Sequence, residues 1–370
     1  MILRLVWENV CFRPLRTLLS VLLIGVPVML ILTLVGVSQG FMDASQERSR
    51  GVGADVVIRP PHSSLTSGSG ATMPQAMVTK LGQQPHVVLA QGVVQALTNK
   101  MFNLLTGIDY TEFKKMSGGF SFVQGDDAHA FVNPNDMVVD TDYAKEAKLH
   151  VGSTVTILNN NWHISAIVDT GKMSHIFVPL AVLQDLQNAE NHVSMIYLKL
   201  DDPKNAEAVV DALKHIHGLE DYEIYSMQDV IDLTSVDKIP VVGIFINVII
   251  GIGIFTGLIV VSLSMYMAVL QRTREIGILK SLGATKGFVM SLILWEACAM
   301  GIGGTIVGIG LSYASRIVLH QFAAASLPQA IVPLWWPRVL GIALGSALLG
   351  ALYPGMIAVA QDPIEALAYE

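Results

Sequence analysis

Four apolar runs, each long enough to cross a bilayer, constrain this chain more than any other feature. They cover residues 17–39, 239–270, 287–318 and 337–360. A helix needs about 20 apolar residues to cross about 30 Å of hydrocarbon. Ile239–Leu270 carries no charge, and Gly287–Tyr313 carries only Glu296. Charged residues make up 14% of the chain, against about 25% in soluble domains. The chain therefore reads as an α-helical membrane protein with four transmembrane helices. Residues 40–238, between the first and second runs, have the composition of a large soluble domain.

The positions of Lys and Arg predict the orientation. Arg4, Arg13 and Arg16 precede the first run, and Arg272, Arg274, Lys280 and Lys286 occupy the connection 271–286. The loop 319–336 lacks both residue types, with Arg316 and Arg338 at its margins. Both termini, 1–16 and 361–370, and the 271–286 turn are then expected in the cytoplasm of a multi-pass inner-membrane protein. The 40–238 domain faces the other compartment. It holds 24 Asp and Glu against 14 Lys and Arg, but long exported domains translocate regardless of charge, so this acidity does not bear on orientation. The first run is too long for a signal-peptide core, so it is read as a retained span. Trp335 and Trp336 fit an interfacial anchor before the last span. Cys11 and Cys298 both fall on the cytoplasmic or membrane side, so no disulfide is expected in the outer domain.

Residues 1–16 alternate apolar and basic character, which suits either an amphipathic interfacial helix or an ordinary basic flank. The outer domain reads as α/β. Strands are expected at 54–59, 87–97, 102–108 and 195–200, and a strand with a turn around Pro134-Asn-Asp at 130–139. A hairpin is expected over 152–169 around Asn159–Asn161, and helices at 142–149, 178–188 and 203–215. Residues 60–73 read as a Ser-, Gly- and Pro-rich loop. In the spans, Gly253/Gly257, Gly304/Gly308 and Gly341/Gly345 recur at four-residue spacing, as do Gly36/Gly40 and Ser346/Gly350. Such pairs predict close helix packing, within one subunit or across a dimer.

Motifs for catalysis are absent. No G-x-x-x-x-G-K-[ST] run is present, so no ATP hydrolysis is expected from this chain alone, and no cofactor or metal is assigned to it. His215-x-His217 offers two ligands without the third and fourth that a metal requires, and reads as a surface pair. His163 and His175 read as surface or core polar groups. No G-x-S-x-G context marks a hydrolase. Glu296 is the one acidic residue well inside a span. It reads as a structural polar contact, a snorkelling group or a functional carboxylate.

The remaining signal is Arg272-Thr-Arg-Glu-Ile-Gly-Ile-Leu-Lys-Ser-Leu-Gly-Ala-Thr285, a charged turn wedged between two apolar runs. Charge is expensive in hydrocarbon, so Arg272, Arg274, Glu275 and Lys280 are expected in water or against a soluble partner. This stretch, the basic approach Arg13-Pro-Leu-Arg16 and the C-terminal Tyr353-Pro354 and Asp362-Pro363-Ile364-Glu365-Ala366-Leu367 together resemble the FtsX-like, MacB-type permease family of ABC transporters (type VII). Pro354-Gly355 stands where the family usually has Pro-Ala, and Ala368 where a basic residue is common.

The resemblance implies a porter-like α/β outer domain with a second, mostly β insertion. It implies a permease, not itself an enzyme, acting as a homo- or heterodimer with separate ABC ATPase subunits that bind ATP and Mg. Residues 271–286 would form the coupling helix. Thr273 lies in this stretch; Arg274, Glu275 and Lys280 would make charge-assisted contacts with the ATPase. Ile276, Ile278, Leu279 and Leu282 would supply apolar contact, Gly277 close approach and Gly283 a left-handed end. Asp362, Pro363, Glu365 and Leu367 would form a second cytoplasmic contact. The second run, about 46 Å as a helix, exceeds the hydrocarbon and could continue as a stalk.

The expected function is to couple ATP hydrolysis by the partner to export or extraction of a lipid, lipoprotein, peptide or drug by mechanotransmission to the outer domain. A periplasmic adaptor or outer-membrane factor could join; membrane lipid surrounds the spans, and no nucleic-acid partner is expected. The alternative is mechanical signalling without transport, activating an outer partner such as a cell-wall hydrolase. Phe120-Ser-Phe122-Val123 would then be its docking patch, or else a buried strand.

Overall fold

The structure is a computed structural model that describes residues 14–61, 71–98, 104–233, 240–323 and 325–360. In chain order the elements begin with helix α1 (Pro14–Gly51), strands β1 (Val56–Arg59) and β2 (Met73–Pro74), and helix α2 (Ala76–Leu81). Strands β3 (Val87–Leu97) and β4 (Leu104–Ile108), helix α3 (Tyr110–Ser117), strands β5 (Phe122–Gln124) and β6 (Asp136–Asp140) and helix α4 (Thr141–Ala147) follow. Then come β7 (Thr154–Ile157), β8 (Asn160–Val168), β9 (Ile176–Pro179), α5 (Leu180–Leu186), β10 (His192–Val193), β11 (Met195–Leu200), α6 (Ala206–Lys214), β12 (Glu223–Ser226) and α7 (Met227–Leu233). The chain closes with α8 (Pro240–Gln271), α9 (Thr273–Ser281), α10 (Lys286–Phe322) and α11 (Trp335–Ala360). The N-terminal segment 1–13 and the tail 361–370 lie outside the described residues, as does most of the 60–73 loop.

Two units emerge. One comprises the described residues of Met1–Gln39, Pro240–Val318 and Gln329–Glu370; the other comprises Gly40–Ile239 and Leu319–Pro328. The expected outer loop 319–336 is thus divided, its first ten residues belonging to the larger soluble unit.

In the helical unit, α1, α8, α10 and α11 are the four helices long and apolar enough to cross a membrane. Lipid tails are as apolar as leucine, so helices associate through close van der Waals contact and hydrogen bonds. Glycines supply the approach. A Cβ built on Gly304 would lie 2.7 Å from Ile24 Cβ, and one on Gly308 would lie 2.7 Å from the Gly25 carbonyl. Gly257 meets Ser346 Oγ at 2.8 Å, Gly350 meets the Leu258 carbonyl at 2.6 Å, and Gly253 meets Ile31 at 3.3 Å. Hydroxyl pairs add Ser20–Ser264 at 2.8 Å and Thr33–Ser315 at 2.9 Å. Gly341 and Gly345 are different: a Cβ there meets nothing within 4 Å. Their spacing puts them on one face of α11, but among the described residues no helix packs against that face at these two positions.

The soluble unit is built on a ten-stranded sheet in the order β12-β1-β11-β3-β4-β9-β6-β8-β5, with β7 also paired to β8. The expected second, mostly β part is continuous with the first. Strand β3 is the seam: Val87–Val93 pairs with β11, and Val94–Leu97 pairs with β4. Pairing is antiparallel except for β4 with β9 and β6 with β8. Helix α6 buries Val209, Val210 and Leu213 against Val56, Ile58 and Leu198, the apolar stripe its periodicity predicts. The hairpin turn falls on Leu158 and Asn159, both with positive φ (52° and 59°). That is one residue earlier than the Asn-rich signal suggests, and it matches the type I′ turn that strand twist favours. Trp162, fully buried, donates Nε1–H to the Ile157 carbonyl at 3.1 Å. Phe120 stacks on Tyr110 with ring centroids 5.5 Å apart and lies 4.8 Å from both Phe113 and Phe177. Phe120 and Phe122 pack half-buried against this core, while Ser121 and Val123 are exposed, so the stretch is neither a buried strand nor a fully exposed patch.

Helix α4 is a junction. Asp140 caps its N-terminus by accepting from the Tyr143 amide at 2.8 Å, and its other oxygen lies 2.5 Å from His175 Nδ1. His175 Nε2 is 3.1 Å from Arg48 Nη1. A guanidinium only donates, so Nε2 accepts and Nδ1–H donates to Asp140. His175 is thus a buried relay between Arg48 on α1 and the sheet. At the other end of α4, Glu146 Oε2 accepts from the amides of Ala325 and Ser326, both at 3.0 Å, and Oε1 accepts from Ser326 Oγ at 2.6 Å. Ala325 is buried in the same core as Trp162. His215 and His217 contact the Asp211 carbonyl and Glu220.

Two outcomes follow from this packing. Gly308→Leu forces a side chain into the Gly25 backbone and should lower the thermal midpoint in detergent by an amount corresponding to about 1–3 kcal/mol, whereas Gly341→Leu should leave it unchanged. Glu146→Ala removes three charge-assisted hydrogen bonds, and amide exchange at Ala325 and Ser326 should accelerate on the order of tenfold or more. Unchanged exchange there would show that the clamp does not order the 319–328 segment.

Candidate functional site

The charged turn folds into α9, separated from α8 by one residue. Arg272 breaks the helix with φ −116° and ψ 18°. The one hydroxyl hydrogen of Thr273 is shared between the carbonyls of Val269 and Leu270, at 3.1 and 3.0 Å, in the last turn of α8. At the other end Gly283 takes φ +95°. Its amide donates to Lys280 O at 3.0 Å, and the Ala284 amide donates to Leu279 O at 2.9 Å. That six-to-one bond defines a Schellman stop, which glycine permits without strain. Thr285 Oγ1 then accepts from the Phe288 amide at 3.3 Å and opens α10.

The two faces of α9 do different things. Ile276 and Gly277 are buried, and Leu279 and Lys280 are half-buried. Lys280 Nζ donates to the Val359 carbonyl in the last turn of α11 at 2.8 Å. Arg272 makes a forked contact with Glu296 on α10, Nη1 to Oε2 at 3.2 Å and Nη2 to Oε1 at 3.4 Å. The side chains of this pair are 15% and 6% exposed. Met265, Val269, Leu279 and Ile293 line a cleft beside it. The turn is therefore held at its start to the third span and at its end to the fourth.

Two sequence expectations change here. Arg272 is not in water; its charge is matched within the chain, as hydrocarbon demands of a partly buried cation. Glu296, in keeping with its reading as a structural polar contact, is the partner of Arg272. Lys280, Ile276 and Gly277 face the chain's own helices, which leaves them little surface for a soluble partner. Arg274, Glu275, Ile278 and Leu282 remain on the outer face, with Ile278 43% and Leu282 80% exposed. Spaced at 274, 278 and 282, they form one stripe along the helix. An apolar side chain as exposed as Leu282, outside the spans and beside two charges, is what a docking surface presents. Asp362, Pro363, Glu365 and Leu367 lie outside the described residues. Sequence reasoning missed the partners of Arg272 and Lys280. A lone carboxylate inside a span near a lone cluster of cations was the signal available for the first; a backbone acceptor leaves none for the second. Among the described residues no group of three metal-capable side chains is present.

Removing one partner of a buried ion pair strands the other and costs about 3–5 kcal/mol, while replacing both by apolar groups is far milder. Glu296→Ala should thus lower the thermal midpoint in nanodiscs markedly, and the Arg272→Met/Glu296→Met double variant should recover most of the loss.

The chain compares with known proteins as follows. The family model for the MacB-like periplasmic core domain matches residues 17–216, more than half of the chain. The model for the FtsX-like permease C-terminal region matches residues 247–363. The uncharacterized ABC transporter permease YknZ of Bacillus subtilis is 33% identical over 206 residues, covering 54% of this chain and 50% of that protein. The macrolide export ATP-binding/permease protein MacB of Sodalis glossinidius is 23% identical over 388 residues, covering 96% of this chain and 58% of that protein. This chain thus matches only about half the length of these relatives. The crystal structure of the periplasmic region of MacB from Actinobacillus actinomycetemcomitans overlaps 49% of this chain and 92% of that one, with 16% identity and a TM-score of 0.36. Four membrane-length helices, a large α/β domain between the first two and both family matches make this chain a member of the FtsX/MacB-type ABC transporter permease family.

Proposed function

We propose that this chain is the non-catalytic membrane subunit of an ABC transporter and that α9 is its coupling helix, seated in a groove of a separate ATPase. The observation that carries this reading is the division of α9. Its inner face is fastened to two spans by Arg272–Glu296 and Lys280–Val359, while Arg274, Glu275, Ile278 and Leu282 stand free of the chain's own core. A helix fastened in this way moves with the third and fourth spans. A push on its outer stripe therefore becomes a displacement of those spans rather than a local bend.

ATP and Mg bind the partner, and this chain contributes no residue to hydrolysis. Closure of an ATPase pair drives two permease copies, identical or not, and the motion passes to the soluble domain. The cargo is a lipid, lipoprotein, peptide or drug moved out of the membrane or the outer compartment. One relative is named a macrolide export protein, which supports including macrolides among the first compounds to screen. The cytoplasmic placement of α9 and both termini rests on the Lys and Arg distribution. A periplasmic adaptor or outer-membrane factor completes the assembly where an outer membrane is present.

The test is co-purification with candidate ATPase subunits encoded near this gene, in nanodiscs, of wild type and an Ile278→Asp/Leu282→Asp variant. Wild type should hold an ATPase, and the variant should lose at least tenfold in affinity with an unchanged thermal midpoint. Failure of wild type to retain any ATPase would overturn the assignment of α9.

A further inference from the structure

From the groove at the opposite end of the spans from α9, we propose a seat for the headgroup of one phospholipid that carries both a phosphate and a hydrogen-bond donor, such as phosphatidylethanolamine. The site does not depend on the ATPase reading. Leu32 of α1, Tyr313 and Arg316 of α10, the strand-like segment from Gln329 to Val332, and Trp336 of α11 line it. Its enclosed volume is only about 20 Å³, so a headgroup lies along this groove rather than inside it.

The wall is built, not incidental. The Ala330 amide donates to the Gly36 carbonyl of α1 at 2.9 Å. A Cβ on Gly36 would stand 2.7 Å from the Ala330 carbonyl and 2.9 Å from Gln329 Cγ, so only glycine lets the segment lie across the first span there. Arg316 Nε donates to the Gln329 carbonyl at 3.2 Å, which turns the guanidinium along the groove.

Two features of this wall lack partners of the kind they need. No carboxylate among the described residues pairs with Arg316, and its Nη1 and Nη2 groups make no hydrogen bond to them. Gln329 Oε1 is buried without a hydrogen-bond partner among the described residues, an arrangement that costs free energy if left so. A guanidinium selects phosphate through paired N–H donors. A buried amide oxygen selects an N–H or O–H. One headgroup supplies both when it is ethanolamine; choline has the phosphate and no donor.

The depth is right for a lipid rather than a free anion. Tyr313 and Trp336 have ring centroids 6.5 Å apart, and Arg338 lies 5.0 Å over the Trp335 ring. Such an aromatic and cationic girdle marks the headgroup level of a bilayer. Leu32, Ile309 and Val332 continue the groove on its apolar side, where an acyl chain would begin.

Native mass spectrometry of the full chain, delipidated and then titrated with phosphatidylethanolamine or phosphatidylcholine, tests this. Wild type should retain about one ethanolamine lipid per chain with at least fivefold preference over choline, and its thermal midpoint should rise with the former. Arg316→Met should abolish retention, Arg316→Lys should restore part of it, and Arg338→Met should leave it intact. Gln329→Met should bind both lipids and lose the preference, which keeps the proposal testable if Arg316→Met does not fold. Equal retention of the two lipids by wild type, or undiminished preference in Arg316→Met, would overturn it. Stabilisation by soluble glycerophosphoethanolamine equal to that by the lipid would also overturn it, in favour of a free-anion site.

Discussion

Hydrocarbon tolerates no unmatched charge, and the Arg272–Glu296 pair is where this chain answers that demand. The cation that breaks α8 away from α9 is neutralised by the carboxylate that α10 carries inside the span. Without that match, neither the sharp turn at Arg272 nor an acidic residue within the third span would be affordable. The pair sets the rotation of α9 about its own axis. Ile276 and Gly277 then fall inward, Lys280 reaches the Val359 carbonyl, and the free stripe reduces to Arg274, Glu275, Ile278 and Leu282.

The soluble unit uses carboxylates differently. Asp140 and Glu146 flank one short helix, α4, and each gathers donors from far along the chain. Asp140 takes the His175 relay from Arg48, and Glu146 takes two amides and a hydroxyl from 325–326. Both the outer end of α1 and the 319–328 connection are thereby fastened to the same element. A domain gripped through two chain segments at one helix resists shear between them better than one held at a single covalent linker.

Much of the fold was legible because its causes are local. Alternation in 154–168 marked the hairpin, and the stripe Val209, Val210 and Leu213 marked α6. What escaped had short or ambiguous signals. Helix α3 is only eight residues long, yet Asp109 accepts from the Thr111 and Glu112 amides and Gly118 closes the helix with φ +79°. Those two residues were the available evidence. The six helix-packing glycines divided for a similar reason. Four-residue spacing places Gly341 and Gly345 on one face, as it does Gly304 and Gly308, but spacing carries no information on which face another helix occupies.

The sequence by itself determined the four spans, the large domain between the first two, and the position of the charged turn. Each depends on transfer free energies that add residue by residue along the chain. Tertiary structure alone decided which residues of that turn are spoken for and that Ala325 and Ser326 dock onto Glu146. It also decided that Arg316 and Gln329 share one groove. The partners in these contacts stand 24, 79, 179, 180 and 13 residues apart, and a backbone carbonyl acceptor or amide donor leaves no mark in the sequence at any distance. Charge placement shows that a group must be matched; only packing shows by what.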